Sequence, residues 1–407
     1  MTEDPRSVGP DAQQRALEPS VRANDAGLAD RAKGWKSAYV HIPFCAYRCP
    51  YCDFAIVDES KGDTGDRDKY IDAVIAEISM ESEFGPLDAV NFGGGTPSRV
   101  QPEQLGRVIG ALENRFGLAP GCEVSLEVNP EDWSDAVADG LVDAGFTRVS
   151  IGAQSFDEAM LGVLGRQHRS SLPADVAASA KAAGFASVSV DLIYGHPSES
   201  DASWRGSVAT ALDLPVDHIS TYALTVEHGT ELSRSIIAGA PGPDDDIQAD
   251  RFKFFCQESA AAGFDRYEVS NHAKPGHACR YNLSTWAHGE YLGFGMGAHD
   301  HRWGIRSRNH RRLDRYYADI SRGVRPRLGS ETLTRGEQNR DEFMLGLRLA
   351  AGVRMSPFAE RFLQSSEGAR FIAAGVIRVE AGRLVTTDPM LTDGVAREAL
   401  SVSADDC

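Results

Sequence analysis

Short runs of β-branched and apolar residues recur along the chain from about residue 38, and each is followed by an Ala-rich stretch with helical spacing. The runs Ala38–Pro43, Ala89–Phe92, Glu123–Val128, Arg148–Gly152, Ser187–Ile193 and His218–Leu224 predict strands. Between and after them, Tyr70–Glu83, Pro102–Arg115, Ser134–Ala144, Glu158–Leu164, Pro173–Ala183 and Ser203–Leu212 predict helices. Two of these helices run into Gly145 and Gly184, the expected stop before a strand. Strand–helix alternation makes right-handed βαβ units and a parallel sheet. Six units predict an α/β fold, a partial TIM-like (β/α)6 barrel. In such folds the site lies at the C-terminal ends of the strands, where Asn91, Asn129, Gln154 and Asp191 are expected.

The pattern changes at both ends. Residues 1–35, with Pro5, Pro10 and Pro19 and few large apolar side chains, predict a flexible tail ahead of a barrel over 36–265. The acids Asp244, Asp245 and Asp246 after a Pro-Gly-Pro loop suit a helix N-terminus. Residues 266–335 form a further segment with a Gly-rich turn and a basic stretch. Over 336–407, helices at Asp341–Leu349 and Pro357–Leu363 and a hairpin turning at Ala381-Gly382 predict a small helical, winged-helix-like domain.

Composition narrows the function classes. The 407 residues carry a formal charge of −17, which excludes a general basic footprint for nucleic acid or anionic membrane. One stretch runs the other way: from Arg302 to Arg327 nine arginines stand against Asp314 and Asp319, a net of +7. It predicts one helix-like element with flanks, either a solvated face or a docking surface for acidic groups or a peripheral membrane contact. No window has the length of apolar sequence that a transmembrane helix needs, and no secretory leader is visible, so a cytoplasmic protein is expected. Seven cysteines in such a chain point to thiol or metal chemistry rather than a disulfide framework.

The cysteines give the sharpest signal. In Tyr39-Val-His-Ile-Pro-Phe-Cys45-Ala-Tyr-Arg-Cys49-Pro-Tyr-Cys52-Asp-Phe, three thiols three and then two residues apart follow the first strand. Thiolates are soft ligands for iron–sulfur clusters, zinc or copper(I). Structural zinc wants a fourth ligand nearby, so three thiols alone indicate a centre with an open position. Cys122, Cys256, Cys279 and Cys407 are scattered and read as inert or exposed thiols.

This Cys-x3-Cys-x2-Cys loop resembles that of the radical S-adenosylmethionine superfamily. The turn Asn91-Phe-Gly93-Gly94-Gly95-Thr96-Pro97-Ser98 and the segments around Glu127, Gln154, Arg166 and Asp191 extend the likeness to its coproporphyrinogen oxidase-like branch. That branch holds HemN-type oxygen-independent coproporphyrinogen dehydrogenases and HemW-type haem chaperones. The resemblance implies a radical SAM barrel in which Cys45, Cys49 and Cys52 hold a 4Fe–4S cluster. It implies S-adenosylmethionine on Tyr39, Tyr51, Gly94, Gly95, Thr96, Glu127, Gln154, Arg166 and Asp191. HemN-type proteins carry a further cysteine just beyond the third, whereas Tyr51-Cys52-Asp53-Phe54 matches the HemW type. A haem chaperone is therefore expected, with a coproporphyrinogen dehydrogenase, or a related radical reaction on a tetrapyrrole, as the alternative. The implied partners are haem, a haem-accepting protein and an electron donor. Where the HemW type has His-Asn-x-x-Tyr-Trp, this chain reads Tyr281-Asn282-Leu-Ser-Thr285-Trp286. The candidate haem ligands are then Tyr281, His277 and His299, the last in the turn Gly293-Phe-Gly295-Met-Gly297-Ala-His299.

Overall fold

All six apolar runs form strands, because each is short, β-branched and bounded by turn residues. A computed structural model describes residues 23–62 and 65–403. The strands are β1 (Lys36–Ile42), β2 (Leu87–Gly94), β3 (Leu118–Val128), β4 (Arg148–Gln154), β5 (Ser187–Tyr194) and β6 (His218–Ala223). They pair in parallel in that order. Several helices between them start at side-chain caps, with Asp66 before Arg67–Met80, Ser134 before Asp135–Asp143 and Ser200 before Asp201–Asp213. Gly184, at φ 99°, ends the helix Leu172–Ala183. Asp244 caps Asp245–Ala261, as the acidic run predicts.

The sheet goes further than six units. A seventh parallel strand, β7 (Glu290–Phe294), lies against β1 and is followed by antiparallel β8 (His299–Arg302), β9 (Ile305–Asn309) and β10 (Arg327–Thr332). On the far edge, Asn271–Ala273 pairs antiparallel with β6. The result is one sheet of twelve strands whose two edges do not pair with each other. The main apolar core lies between this sheet and its helices, with Phe92, Val149, Val190, Trp204 and Phe255 buried in it.

A second apolar cluster, built on Phe343, Phe358, Phe362, Ile377 and Leu384, belongs to the C-terminal helices and a three-stranded sheet. Its hairpin turns through Ala381 (φ 50°) and Gly382 (φ 74°), the positive angles that the type I′ turn requires.

Two expectations need correction. The predicted tail overlaps a helix, Ala23–Ala32, whose Ala29 and Ala32 are buried against Leu283, Ala287 and Leu349. Small side chains allow that close approach, and they are what made the segment look coreless. Asp30 fixes it further by pairing with Arg354 and Arg383, and the Arg354 hydrogen bond helps hold its carboxyl down at about 2. The part of the tail before residue 23 lies outside the described residues. The basic stretch is likewise not one exposed element: it spans two strands, the helix Leu313–Ser321 and the start of β10. Seven of its nine arginines meet carboxylates, Arg302 and Arg325 at buried Glu81 and Arg327 at Asp300 among them. These pairs offset much of the positive charge, while Arg308 and Arg315 stay exposed.

Candidate functional site

The cysteine loop leaves the C-terminal end of β1, and its ends are tied together. Phe44–Cys45 pairs in parallel with Val57–Asp58, and the Val57 amide donates to the Pro43 carbonyl at 2.8 Å. Inside the loop the Cys52 amide donates to Cys49 O at 3.1 Å. Arg48 Nη1 holds the carbonyls of Cys52 and Phe54, each at 3.1 Å. Cys45, Cys49 and Cys52 are unpaired, half-buried thiols. Cys45 Sγ lies 3.6 Å from Thr96 Oγ1, and Cys49 Sγ lies 3.7 Å from Arg166 Nη1.

Burial pushes Cys45 up to about 12 and raises Cys52 as well. Iron bound by these soft donors replaces the protons and removes that penalty. Among the described residues no three His, Cys, Asp or Glu side chains gather around one point as a single ion requires. Three soft, half-buried thiol donors on one tied loop, beside the Arg166 guanidinium, suit an iron–sulfur cluster. The site therefore fits a 4Fe–4S group.

Beside the loop, the turn at the end of β2 has no room for side chains. A Cβ on Gly94 (φ 109°) would stand 2.3 Å from the His41 ring, and one on Gly95 would stand 2.6 Å from the Pro43 backbone. The Gly95 amide donates to Ile42 O at 2.7 Å and the Thr96 amide to Phe44 O at 2.8 Å, which binds the turn to the cysteine loop. His41 is itself buried and fixed, between the Tyr39 hydroxyl at 3.1 Å and Ala55 O at 2.7 Å.

Arg166 Nη2 donates to Asn129 Oδ1 at 2.7 Å and to Gly152 O at 3.1 Å, while its buried Nε has no partner among the described residues. Burial opposes the guanidinium charge, but Tyr51, Cys49 and Glu131 outweigh it and hold Arg166 charged. An unpartnered N–H on a charged fork beside the thiols is ready to receive a carboxylate. Gln154 sits at φ 64° on the same rim, a conformation that costs free energy and is held by its neighbours.

Side chains of β1, β3, β5 and β6 share one interior, as a curled sheet requires. Burial, with Asp191 adding to it, lifts Glu127 to about 7, and burial lifts Asp191 to about 6. The Gly94 amide points at Glu127 Oε2 from 3.4 Å, and Ser150 Oγ donates to Asp191 at 2.9 Å. Asn91 and Asp191 lie three residues inside their strands rather than at the ends, so they face this interior and not the rim. Tyr222, electrostatically coupled to Asp191 and Glu127, faces it too and was not anticipated. The signal was available, because Ser220 and Tyr222 alternate on β6 in the strand period of two.

The nine residues expected to hold S-adenosylmethionine thus gather around the loop and the interior beneath it. The three candidate haem ligands do not gather. Tyr281 stacks on Tyr39 at 6.1 Å from the helix Arg280–Trp286, which closes the N-terminal end of the barrel. His277 stands at that same end, with Nδ1 3.3 Å from Ser187 Oγ. His299 is exposed at the opposite end, electrostatically coupled to Arg311 and His41.

Residues 39–211 match the Radical SAM superfamily. Heme chaperone HemW of Mycobacterium tuberculosis is 37% identical over 383 residues, covering 92% of this chain and 97% of that protein. Heme chaperone HemW of Bacillus subtilis is 34% identical over 343 residues, covering 82% and 88%. Among solved structures, coproporphyrinogen III oxidase (HemN) from Escherichia coli superposes with a TM-score of 0.77 at 21% identity, over 96% of this chain and 93% of that one, which establishes the fold. A cysteine loop tied to a glycine turn, on a barrel of that fold and with full-length similarity to HemW proteins, places the chain in the radical SAM superfamily and, within it, in the HemW family.

Proposed function

We propose that the chain is a haem chaperone: it binds haem, holds a 4Fe–4S cluster and S-adenosylmethionine at the C-terminal mouth of the barrel, and passes haem to an acceptor protein. The observation that carries this reading is identity of 37% across 97% of a protein named as a haem chaperone. The site agrees with it, since Cys52 is followed by Asp53 and Phe54 and by no fourth cysteine. Cys45, Cys49 and Cys52 would hold the cluster, and its open iron would take S-adenosylmethionine. When bound, the cluster supplies one-electron chemistry to that cofactor. Arg166 orients the cofactor's carboxylate, Gly94 and Gly95 let the backbone approach it, and Glu127 and Asp191 accept hydrogen bonds from hydroxyl or ammonium groups.

That role for Glu127 sets a pH dependence. Only the ionised carboxylate accepts such bonds, so S-adenosylmethionine binding strengthens as pH rises through about 7. Below that it weakens by up to about tenfold per pH unit. Folding of the ligand-free chain responds in the opposite sense. The stability from neutral Glu127 is fully present below its ordinary value of 4.5 and is lost as pH rises through about 7. Titration calorimetry with S-adenosylmethionine between about pH 6 and pH 8 should show the slope in the native chain and a shallower one, set by Asp191 at about 6, in Glu127→Gln. A native profile without slope contradicts the assignment.

The chaperone reading is tested by incubating the anaerobically reconstituted chain with dithionite, S-adenosylmethionine and coproporphyrinogen III. Neither carbon dioxide nor 5′-deoxyadenosine is expected. Decarboxylation that disappears in Cys49→Ala would overturn the reading in favour of the dehydrogenase.

A further inference from the structure

Against the cysteine loop lies a cleft of about 480 Å³. That volume is in the range of sites for cofactor-sized molecules. None of Gly94, Gly95, Glu127, Gln154 and Asp191 lines it, so it is separate from the interior already described. Its wall includes Cys49 and Cys52 of the cysteine loop together with Tyr47, Phe54 and Ile56. Phe54 is 62% exposed, an uncovered aromatic ring at the mouth of a polar loop.

Charge is distributed unevenly around this cleft. Arg311 and Asp53 pair with each other, as do Lys61 and Asp58, so those charges cancel. Arg48 and Arg234 remain: each spends one nitrogen on backbone carbonyls, and neither has an ion-pair partner among the described residues. One further carboxylate, Glu231, lines the wall. Two unpaired guanidiniums beside exposed aromatic surface, on a chain of net charge −17, call for a flat apolar molecule that carries carboxylates.

We propose that this cleft holds the tetrapyrrole, its macrocycle against Phe54 and Tyr47 and its carboxylates on Arg48 and Arg234. The inference rests on the haem-chaperone reading and gives it a location. Of the three candidate iron ligands, only His299 stands at this end of the barrel, coupled to the cleft-lining Arg311.

The test is haem titration, followed by absorbance, of the full chain with and without its cluster. Arg234→Gln changes an exposed side chain; the double variant Arg48→Gln/Arg234→Gln also removes the Arg48 bonds to the Cys52 and Phe54 carbonyls, so its iron content is measured beside its haem affinity. Each should weaken haem binding at least about tenfold, the scale of one charge-assisted hydrogen bond. Haem dimethyl ester, which lacks the carboxylates, should bind native chain and variants equally weakly. Native binding with unchanged affinity in both variants overturns the cleft and leaves the chaperone reading standing. A native chain that takes up no haem overturns that reading, and the cleft assignment with it. If Arg234→Gln slows only cluster reduction by reduced flavodoxin while haem affinity holds, the cleft serves an acidic electron donor and the proposal fails.

Discussion

A Cys49→Ala chain carried through anaerobic iron–sulfur reconstitution should emerge without a stable cluster, whereas the native chain should retain about four irons and four sulfides. The reason is geometric. All three thiols hang from one loop whose ends are pinned by the Phe44–Cys45 and Val57–Asp58 ladder, so among the described residues no other cysteine can replace a missing one. Cys256 and Cys279 are buried, and Cys122 bonds a neighbouring carbonyl at 3.8 Å. The loop's backbone bonds do not use the Cys49 side chain, so circular dichroism should be unchanged. Cys45→Ala and Cys52→Ala should behave alike, and Cys122→Ala should keep its iron. Iron and sulfide analysis decides the matter, and a full complement in Cys49→Ala contradicts the assignment.

The second large effect lies in a residue that no motif marks. Glu77 is buried in the helix Arg67–Met80, where it accepts from the Gly295 amide at 2.8 Å, Asn309 Nδ2 at 2.6 Å and the Tyr316 hydroxyl at 2.8 Å. Those donors come from the turn after β7, from β9 and from the helix Leu313–Ser321, so one carboxylate ties the antiparallel extension to the barrel. The same turn is held by Tyr70, whose hydroxyl donates to His41 O at 2.7 Å and accepts from the Met296 amide at 2.9 Å. Glu77→Ala leaves three buried donors unsatisfied and should cost about 3 kcal/mol or more. For a chain of this size that lowers Tm by roughly 3–5 °C. Tyr316→Phe, which removes one bond, should cost about 1 kcal/mol. Thermal unfolding followed by circular dichroism checks both values, and equal losses would contradict the account.

How much could be read from the residues depended on whether a signal was local. The six βα units were legible because strand and helix periods, caps and Gly stops act within a few residues of each other. The cysteine loop and the glycine turn were legible because their spacing is their chemistry. What escaped depends on partners far along the chain. β7 is short and gains its place by pairing with β1, more than two hundred residues earlier, and the strands beyond it read as one basic helix because their arginines meet acids such as Glu81. The helix Ala23–Ala32 escaped because alanine packs closely without looking apolar. Glu77 stood in a helical pattern among other acids, and nothing local distinguishes a buried carboxylate from a solvated one.

Haem titration of the reconstituted native chain tests the central claim most directly. The account predicts saturable binding of one haem per chain, retained through gel filtration, with no coproporphyrinogen consumed by the same sample. Failure to bind haem, accompanied by cluster-dependent release of carbon dioxide from coproporphyrinogen III, would contradict it.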